Sequence, residues 1–420
     1  MIAWSSEQIA TAAGARLVTP GTADGGPGRV TIDSRDVGPG DLFVGLVGEH
    51  VDGGRFAAQA LEAGAWGVLV GPGHSGQDAS AGAVLVAEDP LLALQTLATA
   101  WRRELGAKVI GITGSTGKTS TKDILFGMLR PHRRTVATPQ NLNTEIGLPL
   151  TVLGAPGDTE VLVLEMGMRG EGQIAELAAI AEPDVGLIVS IGPVHLELLG
   201  TVERIAATKA ELLAGLPEGG TAVVPFGEEL LAPHLPAHVN IVTFGPGGDV
   251  DALDGIELPF DAAHLRRNAM GALAAARAIG VEPAGPIDVA LSDRRGQRHE
   301  LAGGVVVVDD CYNANPMSMR AALDELARAP GRRVAVLGDM LELGPEEVAF
   351  HEAIGAYARE RADVLVTVGP LAAHMGGQHA TADASEAAGV VRALMQPGDT
   401  ILVKASRGVG LQAVSEALTA

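Results

Sequence analysis

Cysteine is almost absent from this chain. Cys311 is the single cysteine among 420 residues, which excludes an internal disulfide and fits a reducing compartment. Aromatic side chains make up only 3 % of the residues, so the cores must be built from Ala, Val, Leu and Ile. Basic residues are outnumbered by acidic ones, and the formal charge of −21 argues against a nucleic-acid-binding surface.

Long apolar runs are also missing. No stretch approaches the ~18 apolar residues of a membrane span, and residues 1–7 contain no basic segment ahead of an apolar one. We therefore expect a cytoplasmic protein without a membrane span, and we expect it to be a monomer. A chain of 420 residues has the length of roughly three domains of ~100–200 residues each.

The order of strand-like and helix-like segments predicts an α/β fold with three domains. Residues 1–86 contain short strands and a helix, which indicates a small α/β domain. Residues 87–299 alternate strands, such as 161–164 and 185–189, with helices, such as 202–216, and this order is typical of a parallel sheet covered by helices. Residues 300–420 contain four buried strand candidates separated by helices, which indicates a second, smaller Rossmann-like sheet.

A glycine-rich segment, residues 111–120, lies between a strand-like run and a helix-like run. Its glycines let the backbone turn and direct N–H groups at phosphate oxygens, while Lys118 supplies a cation and Thr119 a hydroxyl for Mg²⁺. The general pattern has glycine at position 112, where this chain has Ile112 after Gly111. The strand–loop–helix context predicts a nucleoside triphosphate site formed by Gly114, Ser115, Thr116, Gly117, Lys118, Thr119 and Ser120.

Two polar side chains follow strands of the central domain. Glu165 ends the apolar run 161–164, so its carboxylate is expected at the sheet edge beside the phosphate loop, as an oxygen ligand for Mg²⁺. The alternative is a charged residue that merely ends a strand. His195 follows the run 185–189 and a Gly-Pro pair at the same edge, and its position leaves a structural and a functional role open.

Three further groups of residues are candidates. Lys209 lies in the helical run 201–213 and, taken alone, reads as a solvated lysine. The segment 141–147 offers neutral hydrogen-bonding groups for a phosphate or carboxylate, or forms an ordinary turn, and its candidates are Asn141, Asn143 and Thr144. The polar segment after the four-valine strand is expected at the ligand-binding edge of the third sheet, and its candidates are Asp310, Tyr312 and Asn315.

Taken together, these segments resemble the Mur ligases of peptidoglycan synthesis, most closely the MurF type. The resemblance covers nearly the whole chain. It is carried by Asp33-Ser34-Arg35 and by residues 39–46, 113–120, 141–149, 165–167, 192–197, 267–269, 312–316 and 337–344. The D-N-P-R sequence associated with the diaminopimelate-adding MurE type does not occur in the chain.

The resemblance implies roles for individual residues. Lys118 and Thr119, together with Glu165, would hold the phosphates of ATP and one Mg²⁺. A second Mg²⁺ would be held by His195 and by Lys209, the latter carbamylated so that its ammonium becomes an oxygen ligand. The residues that would contact the nucleotide are Asn268, Arg298, Asp310, Tyr312 and Asn315. Ser34 and Arg35 would contact the UDP end of the substrate.

The same resemblance implies the reaction. In such enzymes ATP phosphorylates the terminal carboxylate of UDP-N-acetylmuramoyl-tripeptide, and the amine of D-Ala-D-Ala attacks the acyl phosphate. A MurE-type or folylpolyglutamate-synthase-like ligase is an alternative that would keep the central residues and change the substrates. A nucleotide-binding module without turnover is a further alternative, against which the joint presence of Glu165, His195 and Lys209 argues.

Overall fold

The computed structural model describes residues 4–21, 25–76 and 82–420. Three main sheets with flanking helices confirm the α/β class. The first sheet has the spatial order β1-β5-β4-β3-β2, with β1 antiparallel to β5 and the other neighbours parallel. Its elements are α1 Ser6–Ala13, β1 Arg16–Thr19, β2 Arg29–Thr31, β3 Asp41–Val44, α2 Ala57–Glu62, β4 Gly67–Val70 and β5 Ala83–Val86.

The central sheet is parallel throughout, with the order β11-β10-β9-β6-β8-β7. Its strands are β6 Lys108–Thr113, β7 Thr135–Ala137, β8 Val161–Glu165, β9 Val185–Ile188, β10 Thr221–Pro225 and β11 Asn240–Phe244. The helices are α3 Pro90–Leu105, α4 Lys118–Leu129, α5 Gly147–Leu153, α6 Gln173–Ala181, α7 Leu196–Leu199, α8 Val202–Ala214 and α9 Ala263–Ala278. A short parallel ladder pairs β12 Ile256–Glu257 with β13 Gly285–Pro286.

The third sheet has the order β14-β15-β19-β16-β17-β18. The four strands expected from the sequence are present as β15, β16, β17 and β19, and the structure adds an antiparallel edge strand, β14, and the short β18. The bounds are β14 Gln297–Leu301, β15 Val305–Asp309, α10 Pro316–Leu326, β16 Arg333–Gly338, α11 Glu347–Arg359, β17 Val364–Val368, β18 His379–Thr381, α12 Ala384–Leu394, β19 Thr400–Lys404 and α13 Gln412–Thr419.

We propose the domain division 1–86, 87–299 and 300–420 on the basis of these sheets. β14 begins at Gln297, so the third sheet takes its first strand from just before residue 300. One apolar core joins α1 and the first sheet to α3 and one face of the central sheet, and Trp4 packs edge-on against Trp101 within it, with ring centroids 5.5 Å apart. Across the described residues, no helix is both long and apolar enough to cross a bilayer.

Gly111 explains the irregular glycine spacing of the phosphate-loop motif. A Cβ at this position would lie 2.9 Å from Leu212 Cδ1 of α8, so a larger residue would displace the Leu212 side chain and disturb the packing of α8 on the sheet. Ile112 is fully buried in the same strand. Gly111 therefore serves helix–sheet packing, and the turn toward α4 begins at Gly114.

Two helical glycines provide a test of packing in the third domain. A Cβ at Gly355 in α11 would lie 2.0 Å from the Met375 carbonyl oxygen, whereas a Cβ at Gly389 in α12 meets no atom within 4 Å. We expect Gly355→Ala to destabilise the protein by about 1–3 kcal/mol through overpacking, and Gly389→Ala to stabilise it by about 0.5–1 kcal/mol through helix propensity. Thermal unfolding of both variants checks this, and a Gly355→Ala transition at or above the wild-type temperature would contradict it.

Candidate active site

A cleft of about 1580 Å³ lies between the central and third sheets. Parallel strands end at one edge of a sheet, and the loops that follow them form this cleft. It brings together most of the residues predicted from the sequence, namely 115–120, Asn141, Asn143, Thr144, Glu165, His195, Asn268, Arg298, Asp310, Tyr312 and Asn315. Four predicted residues are not part of its wall, namely Gly114, Lys209, Ser34 and Arg35.

The phosphate loop is held in place by the segment that follows β9. Ser115 N donates to Ser190 O at 2.9 Å, and Thr116 N donates to Ser190 Oγ at 3.0 Å. The Ser115 hydroxyl donates to Gly192 O at 3.0 Å. These bonds occupy the first loop amides, so the N–H groups available to an anion are those at the start of α4, where a helix has no intrahelical acceptors.

Lys118 begins α4 with its ammonium folded back over the loop. Its Nζ donates to Gly114 O at 2.9 Å. Loss of hydration lowers the pKa of Lys118, the nearby Glu165 carboxylate opposes this shift, and Arg295 adds to it. Gly117 precedes Lys118 with φ +83°, and a Cβ there would lie 2.9 Å from Asn268 Nδ2. The Asn268 amide therefore lies directly against the loop.

Glu165 is a buried carboxylate with two polar partners. The Thr119 hydroxyl donates to Glu165 Oε2 at 2.7 Å, and Asn143 Nδ2 donates to Oε1 at 2.8 Å. The sheet register that pairs Ile112 with Glu165 places the carboxylate beside the phosphate loop. A carboxylate and a hydroxyl fit Mg²⁺ that also takes phosphate oxygens and water, and within the described ranges no three His, Cys, Asp or Glu side chains cluster as a metal site on their own.

His195 lines the cleft, and Lys209 of α8 lies close enough to influence the pKa of His195. His195 Nδ1 is 2.5 Å from Glu342 Oε2 of the third domain. Burial lowers the pKa of His195, and the Glu342 carboxylate opposes that shift. Lys209 is only 1 % exposed, so the expectation of a solvated lysine from its sequence position was wrong. Burial, and then the charge of Lys118, hold the pKa of Lys209 well below its usual range.

The third domain contributes the opposite wall of the cleft. Lys404 Nζ, on β19, donates to Asp310 Oδ2 at 2.6 Å and to Asn313 O at 3.0 Å. The ring of Tyr312 packs against the Arg295 guanidinium, whose carbon is 4.1 Å from the ring centroid. Asn315 caps α10, because its Oδ1 accepts from Ser318 N at 2.9 Å. The cap of α10 therefore also accounts for the position of Asn315 on the cleft wall.

The first-domain candidates lie away from this cleft. Ser34 and Arg35 follow β2, and β2 packs near α5, the helix that begins just after the polar segment 141–145. The Arg35 guanidinium is paired with Asp33 of the same turn at 2.7 Å, and its side chain is 87 % exposed. An exposed arginine next to the central domain remains available to an anionic ligand.

Comparison with known proteins identifies the family. The chain matches models for the Mur ligase family, catalytic domain (residues 28–93), the Mur ligase middle domain (112–276) and the Mur ligase, glutamate ligase domain (294–407). It is 38 % identical to UDP-N-acetylmuramoyl-tripeptide--D-alanyl-D-alanine ligase from Synechocystis sp., covering 93 % of this chain and 92 % of the relative. The corresponding Bacillus subtilis protein is 36 % identical, with 92 % of each chain covered. This chain belongs to the Mur ligase family, in its MurF group.

Solved MurF structures share the fold over nearly the whole chain. MurF from Acinetobacter baumannii has a TM-score of 0.88 at 29 % identity, with 99 % of this chain and 98 % of that one covered. MurF ligase from Thermotoga maritima, solved in complex with ADP, has a TM-score of 0.82 at 32 % identity, with 93 % and 97 % covered.

Several residues of this Mur ligase cleft were missed by the sequence reasoning. Arg295 lies close enough to shift the pKa of Lys118, and its Nε is buried without a hydrogen-bond partner among the described residues. The sequence offers three arginines between 294 and 298; of these, Arg294 pairs with Glu416 at 2.9 Å and Arg298 is exposed on β14. Lys404 and Glu342 were not singled out, because their partners come from distant parts of the chain.

Proposed function

We propose that this chain is an ATP-dependent amide ligase that joins D-Ala-D-Ala to UDP-N-acetylmuramoyl-tripeptide and produces the pentapeptide. The observation that carries the proposal is the cleft in which the phosphate loop and the Thr119–Glu165 pair face the polar segment 310–315 of a second sheet. The names of the relatives at 36–38 % identity support these two substrates over those of MurE-type or folylpolyglutamate-type enzymes.

The first step joins two anions, so it requires charge neutralisation and alignment. The terminal carboxylate of the tripeptide attacks the γ-phosphorus of ATP, the bond to the β-phosphate oxygen breaks, and ADP leaves. Lys118 and the N–H groups at the start of α4 stabilise the transferring phosphoryl group. We propose that Arg295, unpartnered at Nε among the described residues, contributes a further positive charge from the segment that precedes β14.

The second step forms the amide bond. The amine of D-Ala-D-Ala attacks the acyl carbon, phosphate leaves, and the amine loses a proton. Water competes for the same acyl phosphate, so a cleft that is closed between the two domains favours amide formation over hydrolysis. Asn141 and Thr144 lie on the cleft wall and are proposed to hold the acyl substrate, with Ser34 and Arg35 at its UDP end.

The nucleotide and the cations are assigned to the remaining cleft residues. Asn268 on the loop, together with Asp310, Tyr312, Asn315 and Arg298, is proposed to face the nucleotide. Thr119 and Glu165 would hold one Mg²⁺, which supplies charge neutralisation between phosphate oxygens. His195 and Lys209 fit a second Mg²⁺ only if Lys209 is carbamylated, because an ammonium repels a cation.

Phosphate release and product mass together test the proposed function. Purified protein with ATP, Mg²⁺ and UDP-N-acetylmuramoyl-tripeptide is expected to release phosphate rapidly only when D-Ala-D-Ala is added, with a pentapeptide product confirmed by mass. Parallel reactions with a UDP-linked dipeptide plus a diamino acid, and with a folate plus glutamate, separate the alternatives. An amide product from either of those pairs, and none from the first, would overturn the assignment.

A further inference from the structure

The loop after β9 and the segment after β16 are in polar contact across two domains. His195 Nδ1 lies 2.5 Å from Glu342 Oε2, across 147 residues of sequence. The backbones also touch there, because Glu197 N donates to Glu342 O at 3.4 Å. A Cβ on Gly344 would lie 3.3 Å from Glu197 N. The third domain therefore meets His195 through a closely packed segment rather than through one long side chain.

Both residues of this contact have an unusual backbone conformation. His195 has φ +55° and Glu342 has φ +64°, and neither is glycine. In this region the Cβ approaches the following carbonyl oxygen, which costs about 1–2 kcal/mol per residue. Such a cost at both ends of one contact, on the wall of the active-site cleft, indicates that the surrounding packing fixes the relative position of the two side chains.

The same loop also connects the third domain to the phosphate loop. Its Ser190 and Gly192 hold Ser115 and Thr116 by the hydrogen bonds described above. From the other side, Met317 at the start of α10 packs so closely on Gly192 that a Cβ there would lie 1.9 Å from its Sδ. Residues 190–197 are therefore in contact with both the third domain and the phosphate-binding segment.

The chemistry of the contact defines which histidine nitrogen keeps a lone pair. A carboxylate only accepts hydrogen bonds, so the His195 ring must present N–H at Nδ1. In the neutral ring this leaves Nε2 unprotonated, which is the form that binds a cation. A carboxylate behind a ligating histidine also restricts the rotation of the ring and raises its basicity.

We propose that Glu342 is a positioning residue, which fixes the tautomer and orientation of His195 when the third domain docks on the central one. Docking would thereby strengthen cation binding beside the phosphates, and cation binding would favour docking to the same extent, since linkage is reciprocal. The effect on cation binding rests on the proposed function, whereas the His195 tautomer and the contact between the two domains do not. The inference assigns a role in the central site to the Leu-Glu-Leu-Gly segment 341–344 of the third domain.

The tautomer is measured by NMR on the full chain labelled with ¹⁵N-histidine, with the His195 signals assigned from a His195→Gln variant. We expect the His195 ring of wild type to carry its N–H at Nδ1. Glu342→Gln should keep this tautomer, because the glutamine amide oxygen can still accept from Nδ1. Glu342→Ala should lose the preference for the Nδ1 tautomer. Glu346→Ala, which changes an exposed residue two positions after this segment, should match wild type. An unchanged His195 tautomer in Glu342→Ala would overturn the proposal, and this readout requires no catalytic activity.

The effect on cation binding is tested by measuring the affinity of the protein for Mn²⁺ in the presence of ADP. The concentration of free Mn²⁺ is read from its electron paramagnetic resonance signal. We expect Glu342→Ala to weaken the affinity roughly ten- to hundredfold, and Glu346→Ala to leave it unchanged. In a His195→Ala background, Glu342→Ala should cause no further loss, because its effect passes through the histidine. No weakening in the wild-type background, or equal weakening in both, would overturn this role.

Discussion

Lys118→Ala is expected to lower the rate of amide formation by about 10³-fold or more while leaving the fold intact. The ammonium is already placed over the loop by its 2.9 Å bond to Gly114 O, so little reorganisation is needed when a triphosphate arrives. Its removal leaves the repulsion between the attacking carboxylate and the γ-phosphate without its main protein-derived countercharge. The loss should appear mainly in kcat, because the charge on the transferring group develops in the transition state.

Phosphate release with both substrates, and circular dichroism for the fold, check this prediction. Lys108→Ala is the matched control, because Lys108 is exposed at the start of β6 and, among the described residues, its ammonium pairs with Asp184 alone. Such surface pairs contribute little, so the control should retain wild-type turnover. A Lys118→Ala enzyme within tenfold of wild type would contradict the assigned role of the phosphate loop.

The central part of the site was predictable because it depends on local order in the sequence. A buried strand followed by a glycine-rich turn and a largely buried helix fixes Lys118 and Thr119 in space. In a parallel sheet, the acid that ends the next strand must emerge at the same edge. This order explains the observed register, which pairs Ile112 with Glu165. It also explains the 2.7 Å hydrogen bond that the Thr119 hydroxyl donates to Glu165.

Contacts between distant segments of the chain could not be predicted in the same way. The Glu342 contact with His195 joins two domains, and the Lys404 contact with Asp310 joins the ends of two neighbouring strands of the third sheet. Both depend on how sheets and loops pack in space, and hydrophobic periodicity contains no information about that. β14 was missed for a related reason, since Gln297–Leu301 is a mostly exposed edge strand without an apolar run. Its presence determines where Arg295 and Arg298 lie on the cleft.

The burial of Lys209 could have been predicted from the spacing of its apolar neighbours in the sequence. Ile205 and Leu212, four residues before and three after it, are both fully buried, and this spacing places Lys209 on the buried face of α8. A lysine on that face requires an explanation, because burying an unpaired ammonium is costly. Among the described residues the Lys209 side chain has no hydrogen bond or ion pair. We propose carbamylation as the explanation.

Lys209→Ala is expected to lower turnover by on the order of 10²–10³-fold. The depressed pKa of Lys209 favours the neutral amine, which adds CO₂ and releases a proton to form a carbamate anion. This anion would complete a cation site with His195 and would remove the repulsion between Lys209 and Lys118. Deleting the side chain leaves an opening at that position, so formate, acetate or propionate should restore part of the activity.

Lys118→Ala provides the matched control for rescue, because that variant lacks a cation and a carboxylate cannot replace it. Chloride at equal ionic strength should rescue neither variant, since the missing group must supply an oxygen ligand. Wild type supplied with ¹³C-bicarbonate should show a carbamate carbon signal that Lys209→Ala lacks. Full turnover in Lys209→Ala, or equal rescue of both variants, would mean that Lys209 is a buried structural amine, and His195 would then require a different partner for any second cation.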